Sequence, residues 1–244
     1  MLEIFKKRTQ HLNYGRDIIT RVVMNHANRG EKNSLLKILD LGAGSGVDLI
    51  NSKEAAERVG VNVKLYGIEG YGPNVAKLKK AAIEVYNLDL EEAAFPFENE
   101  MFDIIITNQC IEHTKEVFWI FGEISRVLKP HGICIVGVPN LASLHNRLLL
   151  LFGFHPTSIR MFGPHVRGIT KRDFILFAEK GGYFKCKKAY GSNFYPFPPF
   201  IAKILSKIFP GGSVSLFFIL ERTKKEGVFS SILEEVFFEI PYRH

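Results

Sequence analysis

Lys37-Ile38-Leu39-Asp40-Leu41-Gly42-Ala43-Gly44-Ser45-Gly46 decides the fold. Apolar residues through Leu41 make a short strand. Three glycines then break it, because glycine enters tight, positive-φ turns without a steric penalty. A helical pattern follows to about residue 59. Strand, glycine turn and helix in that order open a βαβ unit and let backbone approach a ligand closely. The version of this turn that holds a dinucleotide reads G-x-G-x-x-G, and here Val47 stands at the position where that pattern needs its third glycine. Asp40, two residues before Gly42, would repel a pyrophosphate and suits a cationic ligand.

Working outward, residues 62–68 read as a second strand ending at Glu69, and Pro73 opens a helix running to about residue 82. Residues 83–88 form a third strand ending at Asp89. Residues 102–107 (FDIIIT) form a fourth, β-branched enough to be buried on both faces. A helix over 116–128 stops before Pro130, since the residue before proline avoids helical geometry. A fifth strand covers 133–138. Upstream, 16–28 is an amphipathic helix. Strands alternating with helices give a parallel sheet wound right-handedly, with helices on both faces. Ligands of such sheets sit beyond the carboxyl ends of the strands, so Gly42–Gly46, Glu69, Asp89 and Asn108 should converge.

The second half is less regular. Residues 141–152 read as a helix and 153–168 as a loop carrying several His and Arg. Thr170-Lys171-Arg172-Asp173 caps a helix that ends at Gly181-Gly182. Residues 184–190 and 214–222 are further strands, and the apolar tail 228–240 has helical spacing. Between the last two strands lies the aromatic, basic, proline-rich insert 193–212. The expected organisation is one domain over 1–244: a helical cap over 1–34, a ligand-binding core over 35–140, and a substrate-side half over 141–244.

The composition, 46% apolar and 23% charged over 244 residues, excludes a disordered or fibrous chain. No apolar run approaches the ~20 residues of a membrane span. Three widely spaced cysteines suit a reducing compartment and provide neither a disulfide framework nor a zinc pattern, so no metal is expected and the location expected is cytoplasmic. Residues 1–37 carry 8 basic and 3 acidic side chains, 38–113 carry 6 and 13, and 114–244 carry 18 and 9. The acidic middle favours a cationic ligand; the basic flanks could meet an anionic substrate, a nucleic acid or a membrane surface.

Asp40-Leu41-Gly42-Ala43-Gly44-Ser45-Gly46 resembles the first motif of class I S-adenosylmethionine-dependent methyltransferases. Glu69 matches the ribose-binding acid of that family, and Asp89 with the Leu90 backbone matches its adenine-binding position. Phe102-Asp103, residues 104–108 with Glu112-His113, and Leu128-Lys129-Pro130-His131-Gly132 resemble its fourth-strand motif and the turn before its fifth strand. The resemblance covers about 35–140. It implies a Rossmann-like, mostly parallel seven-stranded sheet with an antiparallel last strand. It also implies S-adenosyl-L-methionine held by Asp40, Gly42, Ala43, Gly44, Gly46, Glu69, Asp89, Leu90 and Asn108. Val138-Pro139-Asn140-Leu141-Ala142-Ser143-Leu144, Asn146-Arg147-Leu148 and Pro164-His165-Val166-Arg167-Gly168-Ile169-Thr170 are similar to a small-molecule branch of the family, some members of which accompany glycan- or lipid-related enzymes.

The implied reaction is in-line displacement at a methyl carbon, transferring it to a small-molecule acceptor that is sugar- or lipid-linked in one reading. His113 is the candidate base, since an imidazole titrates near ~6.5. His165 and Arg167 are candidate contacts to an anionic acceptor, and Tyr14 and Arg16 candidates to fold over the methionine end. Thr107-Asn108-Gln109-Cys110 is neither the tetrapeptide of amine-directed DNA methyltransferases nor a Pro-Cys nucleophile site, which disfavours nucleic acid. The readings in competition are an RNA or protein methyltransferase, a nicotinamide-dependent oxidoreductase and a noncatalytic cofactor-binding module. The insert 193–212 is first a flap buried against the domain or a partner subunit, second a lid over the acceptor, third a peripheral patch on anionic lipid.

Overall fold

A computed structural model describes residues 15–30 and 34–234. Helix α1 (Arg16–Ala27) precedes β1 (Leu35–Leu41), α2 (Val47–Glu57), β2 (Asn62–Ile68), α3 (Gly72–Lys80), β3 (Glu84–Tyr86) and β4 (Phe102–Asn108). Then come α4 (Val117–Val127), β5 (Leu128–Pro139), α5 (Leu144–Leu151), α6 (Lys171–Glu179), β6 (Phe184–Ser192), α7 (Pro199–Ile208) and β7 (Ser215–Arg222). The seven strands form one sheet in the order β3-β2-β1-β4-β5-β7-β6. Strands β1 to β5 pair in parallel, and β7 runs antiparallel between β5 and β6. The reversal of strand order beside β1 places the end of β1 next to the end of β4, which is where a ligand cleft opens in such sheets.

Side-chain alternation along the strands divides the core between the two faces. Ile38, Ile104, Ile106, Ile133, Ile135, Phe217 and Ile219 pack under α1, α2 and α3 through Ile19, Val23, Leu49 and Leu78. Leu39, Leu41, Ile105, Cys134, Val136, Phe218 and Leu220 pack on the other face against Phe121 and Ile124 of α4, Phe174 of α6 and Phe229. All three isoleucines of β4 are fully buried, as a strand covered on both faces requires.

Some boundaries differ from the expectation. Strand β3 has three residues rather than six, because the chain leaves the sheet after pairing Tyr86 with Ile68. Strand β5 begins at Leu128, before Pro130: Leu128 pairs with Phe102, and His131 at φ +65° accommodates a register shift. The capping side chain at α6 is present, with Thr170 accepting from the Asp173 amide at 3.4 Å. The tail forms a 3-10 turn over Phe229–Glu234, which seats buried Phe229 and Ile232. The rest of the expected tail helix, and Tyr14 with the first residues of the cap, lie outside the described residues.

Candidate active site

The turn after β1 shows why its glycines are glycines. Gly46 has φ +83°, and a Cβ there would lie 2.7 Å from Leu78 Cδ2, so close helix packing and a left-handed backbone both demand it. Gly44 has φ +54° and open space where a Cβ would stand, so its backbone faces a cleft. That cleft, a cavity of about 190 Å³, is lined by Arg16, Asp40, Gly42, Ala43, Gly44, Ser45, Val47, Asp48, Asn108 and Gln109.

Asp40, at the tip of β1, is buried. Burial pushes its carboxyl well above the usual carboxylate range, and the Asp48 and Glu69 carboxylates push the same way, against the Arg16 guanidinium. Arg16 Nε lies 3.3 Å from Asp48 Oδ1, and Asn108 Nδ2 donates to Asp48 Oδ2 at 2.9 Å. Asp48 was not among the residues singled out in the sequence, where an acid in the first turn of a helix reads as a complement to the helix dipole. Gln109 likewise carries no local signal in the sequence. It holds φ +56°, a strained position for a side-chain-bearing residue, and its buried Nε2 has no hydrogen-bond partner among the described residues. A buried donor left open beside a cleft is available to a ligand.

Glu69, at the tip of β2, accepts the Gly44 amide on Oε2 at 2.6 Å and the Tyr71 amide on Oε1 at 2.8 Å. The third tip differs. Asp89 is exposed, its Oδ1 accepts the Glu91 amide at 2.8 Å, and neither it nor Leu90 lines the cleft.

Beyond β4, Cys110 lies against the glycine turn: a Cβ on Gly42 would sit 2.8 Å from its Sγ. Desolvation first, then the Glu112, Asp40 and Glu69 carboxylates, push its thiol up to about 12, so it is no nucleophile at neutral pH. The 3-10 turn Ile111–His113 follows. His113 and His165 meet edge to face with ring centroids 4.7 Å apart. Burial, with His165 beside it, holds the His113 imidazole below its ordinary value, against the Pro164 carbonyl. Arg167, expected to contact an anionic acceptor, instead donates from Nε to the Thr114 carbonyl at 3.0 Å and from Nη2 to the Lys115 carbonyl, clamping two loops together.

The insert meets the first expectation in part. Helix α7 turns only the small Ala202 and Ser206 inward, while Phe200 is 77% exposed and Ile208 is 76% exposed. With Phe194 and Gly212 also buried, the insert packs on the domain through its ends and the inner edge of α7, and leaves the outer face of α7 open. A second cavity, of about 500 Å³, lies between α5, α6 and the insert, lined by Ala142, Arg147, Thr170, Lys171, Arg172, Ile175, Leu176 and Gly211. Buried Asn140 holds the insert beside it, donating to the Gly211 and Ser213 carbonyls at 2.9 and 2.8 Å.

Seven strands in this order, β1 to β5 parallel and β7 antiparallel between β5 and β6, make the fold of class I S-adenosylmethionine-dependent methyltransferases. Residues 39–136 match the family model for a methyltransferase domain. In sequence the chain is 28% identical over 144 residues to a ubiquinone biosynthesis O-methyltransferase of Bradyrhizobium sp. (strain ORS 278), covering 57% of this chain and 54% of that protein. It spans about half the length of the relatives it matches this way. In structure it resembles an S-adenosylmethionine-dependent methyltransferase from Archaeoglobus fulgidus (TM-score 0.59, 12% identity, 91% of this chain and 100% of that one). It also resembles 1,6-didemethyltoxoflavin-N1-methyltransferase of Burkholderia thailandensis, solved with 1,6-didemethyltoxoflavin and S-adenosylhomocysteine (TM-score 0.56, 14% identity, 91% and 84%).

Proposed function

We propose that the protein transfers a methyl group from S-adenosyl-L-methionine to a small-molecule acceptor with an apolar, sugar- or lipid-linked portion. The observation that carries the cofactor assignment is the buried Asp40 carboxylate beside the Gly44 backbone, which Glu69 grips from behind. Asp40 and Asp48 serve the cationic methionine end, over the Gly42–Gly46 backbone. They argue against a pyrophosphate, and so against the nicotinamide reading. Glu69 takes the ribose hydroxyls, since each carboxylate oxygen has a lone pair beyond the one used by an amide. Asp89 and the Leu90 backbone, which do not line the cleft, take the adenine edge where the ligand extends past Glu69 toward the end of β3, and Asn108 and Gln109 flank the cleft.

The cofactor, when bound, supplies an already activated methyl group. The chain's own contribution is alignment and exclusion of water, which together supply ~7–11 kcal/mol in well-oriented reactions. His113, held neutral by its surroundings, accepts a proton from an oxygen or nitrogen acceptor. The cavity that joins Arg147, Lys171 and Arg172 to Ile175 and Leu176 suits an acceptor with an anionic group and an apolar portion. Residues 141–172 and 193–212 contain no acidic side chain. The exposed Leu151, Phe152, Phe162, Phe200 and Ile208 within these two segments suit contact with an anionic lipid surface. Among the described residues no helix is long and apolar enough to cross a membrane, so such contact would be peripheral.

The test is formation of S-adenosylhomocysteine with a panel of sugar-linked, isoprenoid-linked and phenolic acceptors, read by mass spectrometry. Turnover on one of these classes supports the proposal. Cofactor binding with no turnover on any would leave a noncatalytic module, and salt-sensitive methylation of RNA would replace the acceptor class.

A further inference from the structure

Glu112 is buried to 1% exposure, and neither of its carboxylate oxygens has a hydrogen-bond donor from another residue among the described residues. A buried carboxyl with no partner is costly, and it implies a partner that arrives from outside the chain. His113 Nε2 lies 4.0 Å from Glu112 Oε1. One nitrogen or oxygen from each of Glu112, His113 and His165 falls within 4.8 Å of the others.

The imidazoles are held in the same tautomer. His113 Nδ1 lies 3.3 Å from the Pro164 carbonyl, and His165 Nδ1 lies 2.7 Å from the Ser158 carbonyl. A carbonyl can only accept, so each Nδ1 carries the proton and each Nε2 keeps its lone pair. A backbone carbonyl fixing one ring nitrogen so that the other can bind a cation is the usual arrangement around a metal-ligating histidine. The peptide also ties the two segments together, with the Val166 and Arg167 amides donating to the Glu112 carbonyl at 2.8 and 3.2 Å. His113 is 40% exposed at its side chain, which leaves a route in from solvent.

We propose that Glu112, His113 and His165 form a binding site for one divalent transition-metal cation. Two imidazoles and one carboxylate suit Zn²⁺, Fe²⁺, Co²⁺ or Mn²⁺ better than Ca²⁺ or Mg²⁺, which prefer oxygen donors throughout. With bonds of about 2.0–2.1 Å the donor atoms need to close to roughly 3 Å of one another, a shift of about an ångström within reach of side-chain rotation. Three protein ligands leave positions open, as sites that receive a further ligand do. Metal binding stands apart from the cofactor assignment, but it occupies the His113 Nε2 lone pair that the base role would use, so His113 serves one role or the other. Only the cation's meeting with an acceptor oxygen rests on the methyltransferase reading, through the nearness of Cys110 to the glycine turn.

The test is Co²⁺ titration of the full chain after chelator treatment, following the visible absorption of nitrogen-ligated cobalt, with Zn²⁺ displacing it. One equivalent should bind. Glu112→Gln and His165→Gln should each weaken it by roughly tenfold or more, with S-adenosylmethionine affinity unchanged. His165→Gln keeps the test open if Glu112→Gln fails to fold. Absence of the bands in the folded wild type, or identical cobalt affinity in both variants, would overturn the proposal. Failure of cofactor binding with cobalt binding intact would instead count only against the methyltransferase reading.

Discussion

The Gly44 amide donates to Glu69 Oε2 at 2.6 Å. This bond joins the turn after β1 to the tip of β2, so backbone and carboxylate are held in place together. Loss of the carboxylate removes charged hydrogen bonds worth about 1.5–3 kcal/mol each. Glu69→Ala is therefore expected to weaken S-adenosylmethionine binding by roughly 10- to 100-fold, with Glu69→Gln between it and wild type, both read by calorimetry.

The glycine turn separates stability from binding. Gly46→Ala meets Leu78 and a φ of +83°, and should cost about 1–3 kcal/mol in chemical denaturation. Gly44→Ala meets open space at φ +54°, and should cost about 1 kcal/mol of stability while losing most cofactor affinity, because its methyl group would stand in the cleft. Equal stability losses with equal affinities would contradict the assignment of the cleft.

Asp40 gives a pH dependence with a definite sign. Its carboxyl is raised by burial and by Asp48 and Glu69, so it holds a proton at pH values where an ordinary carboxylate is ionised. A cationic ligand favours the ionised form. Cofactor affinity should therefore rise with pH through the folded pKa, with proton release on binding. Calorimetry in buffers of different ionisation heat reads this release, and Asp40→Asn should lose it.

Glu112 affects stability in the opposite direction along the pH axis. Burial raises its carboxyl from 4.5 to about 7. The protonated acid is the form the fold favours. Its contribution is full below about pH 4.5 and is lost as pH rises through about 7, amounting to about 3 kcal/mol. In chelator-treated protein, wild type minus Glu112→Gln stability should fall by that order across this window, and a flat difference would count against it.

The exposed face predicts membrane behaviour. Vesicles rich in phosphatidylglycerol should co-sediment the protein more than phosphatidylcholine vesicles do, since each basic residue near the surface adds about 1 kcal/mol. Ile204→Asp and Ile208→Asp should reduce that binding with stability unchanged, as both side chains are exposed. Equal sedimentation with both lipids, or insensitivity to the substitutions, would exclude this face.

What could be read from the sequence was local in origin. The strand-turn-helix around Asp40 to Gly46 and the β-branched run of β4 carry period and turn signals in contiguous residues, and the number of strands with an antiparallel last one followed from the family resemblance. What could not be read came from distant pairings. Asp48 gains meaning only through Arg16 and Asn108. Glu112 meets His165 across the loop that Arg167 clamps. The aromatic insert shows a strong apolar pattern, but pattern alone cannot say that its small residues, Ala202 and Ser206, are the ones that face inward.

Isothermal titration of the full chain with S-adenosylmethionine, repeated on Asp40→Ala and Glu69→Ala, is the most direct measurement. Saturable one-to-one binding in wild type, weakened at least tenfold in each folded variant, is the expected result. No binding in wild type, or the same affinity in all three proteins, would contradict a cofactor held by carboxylates at the tips of β1 and β2.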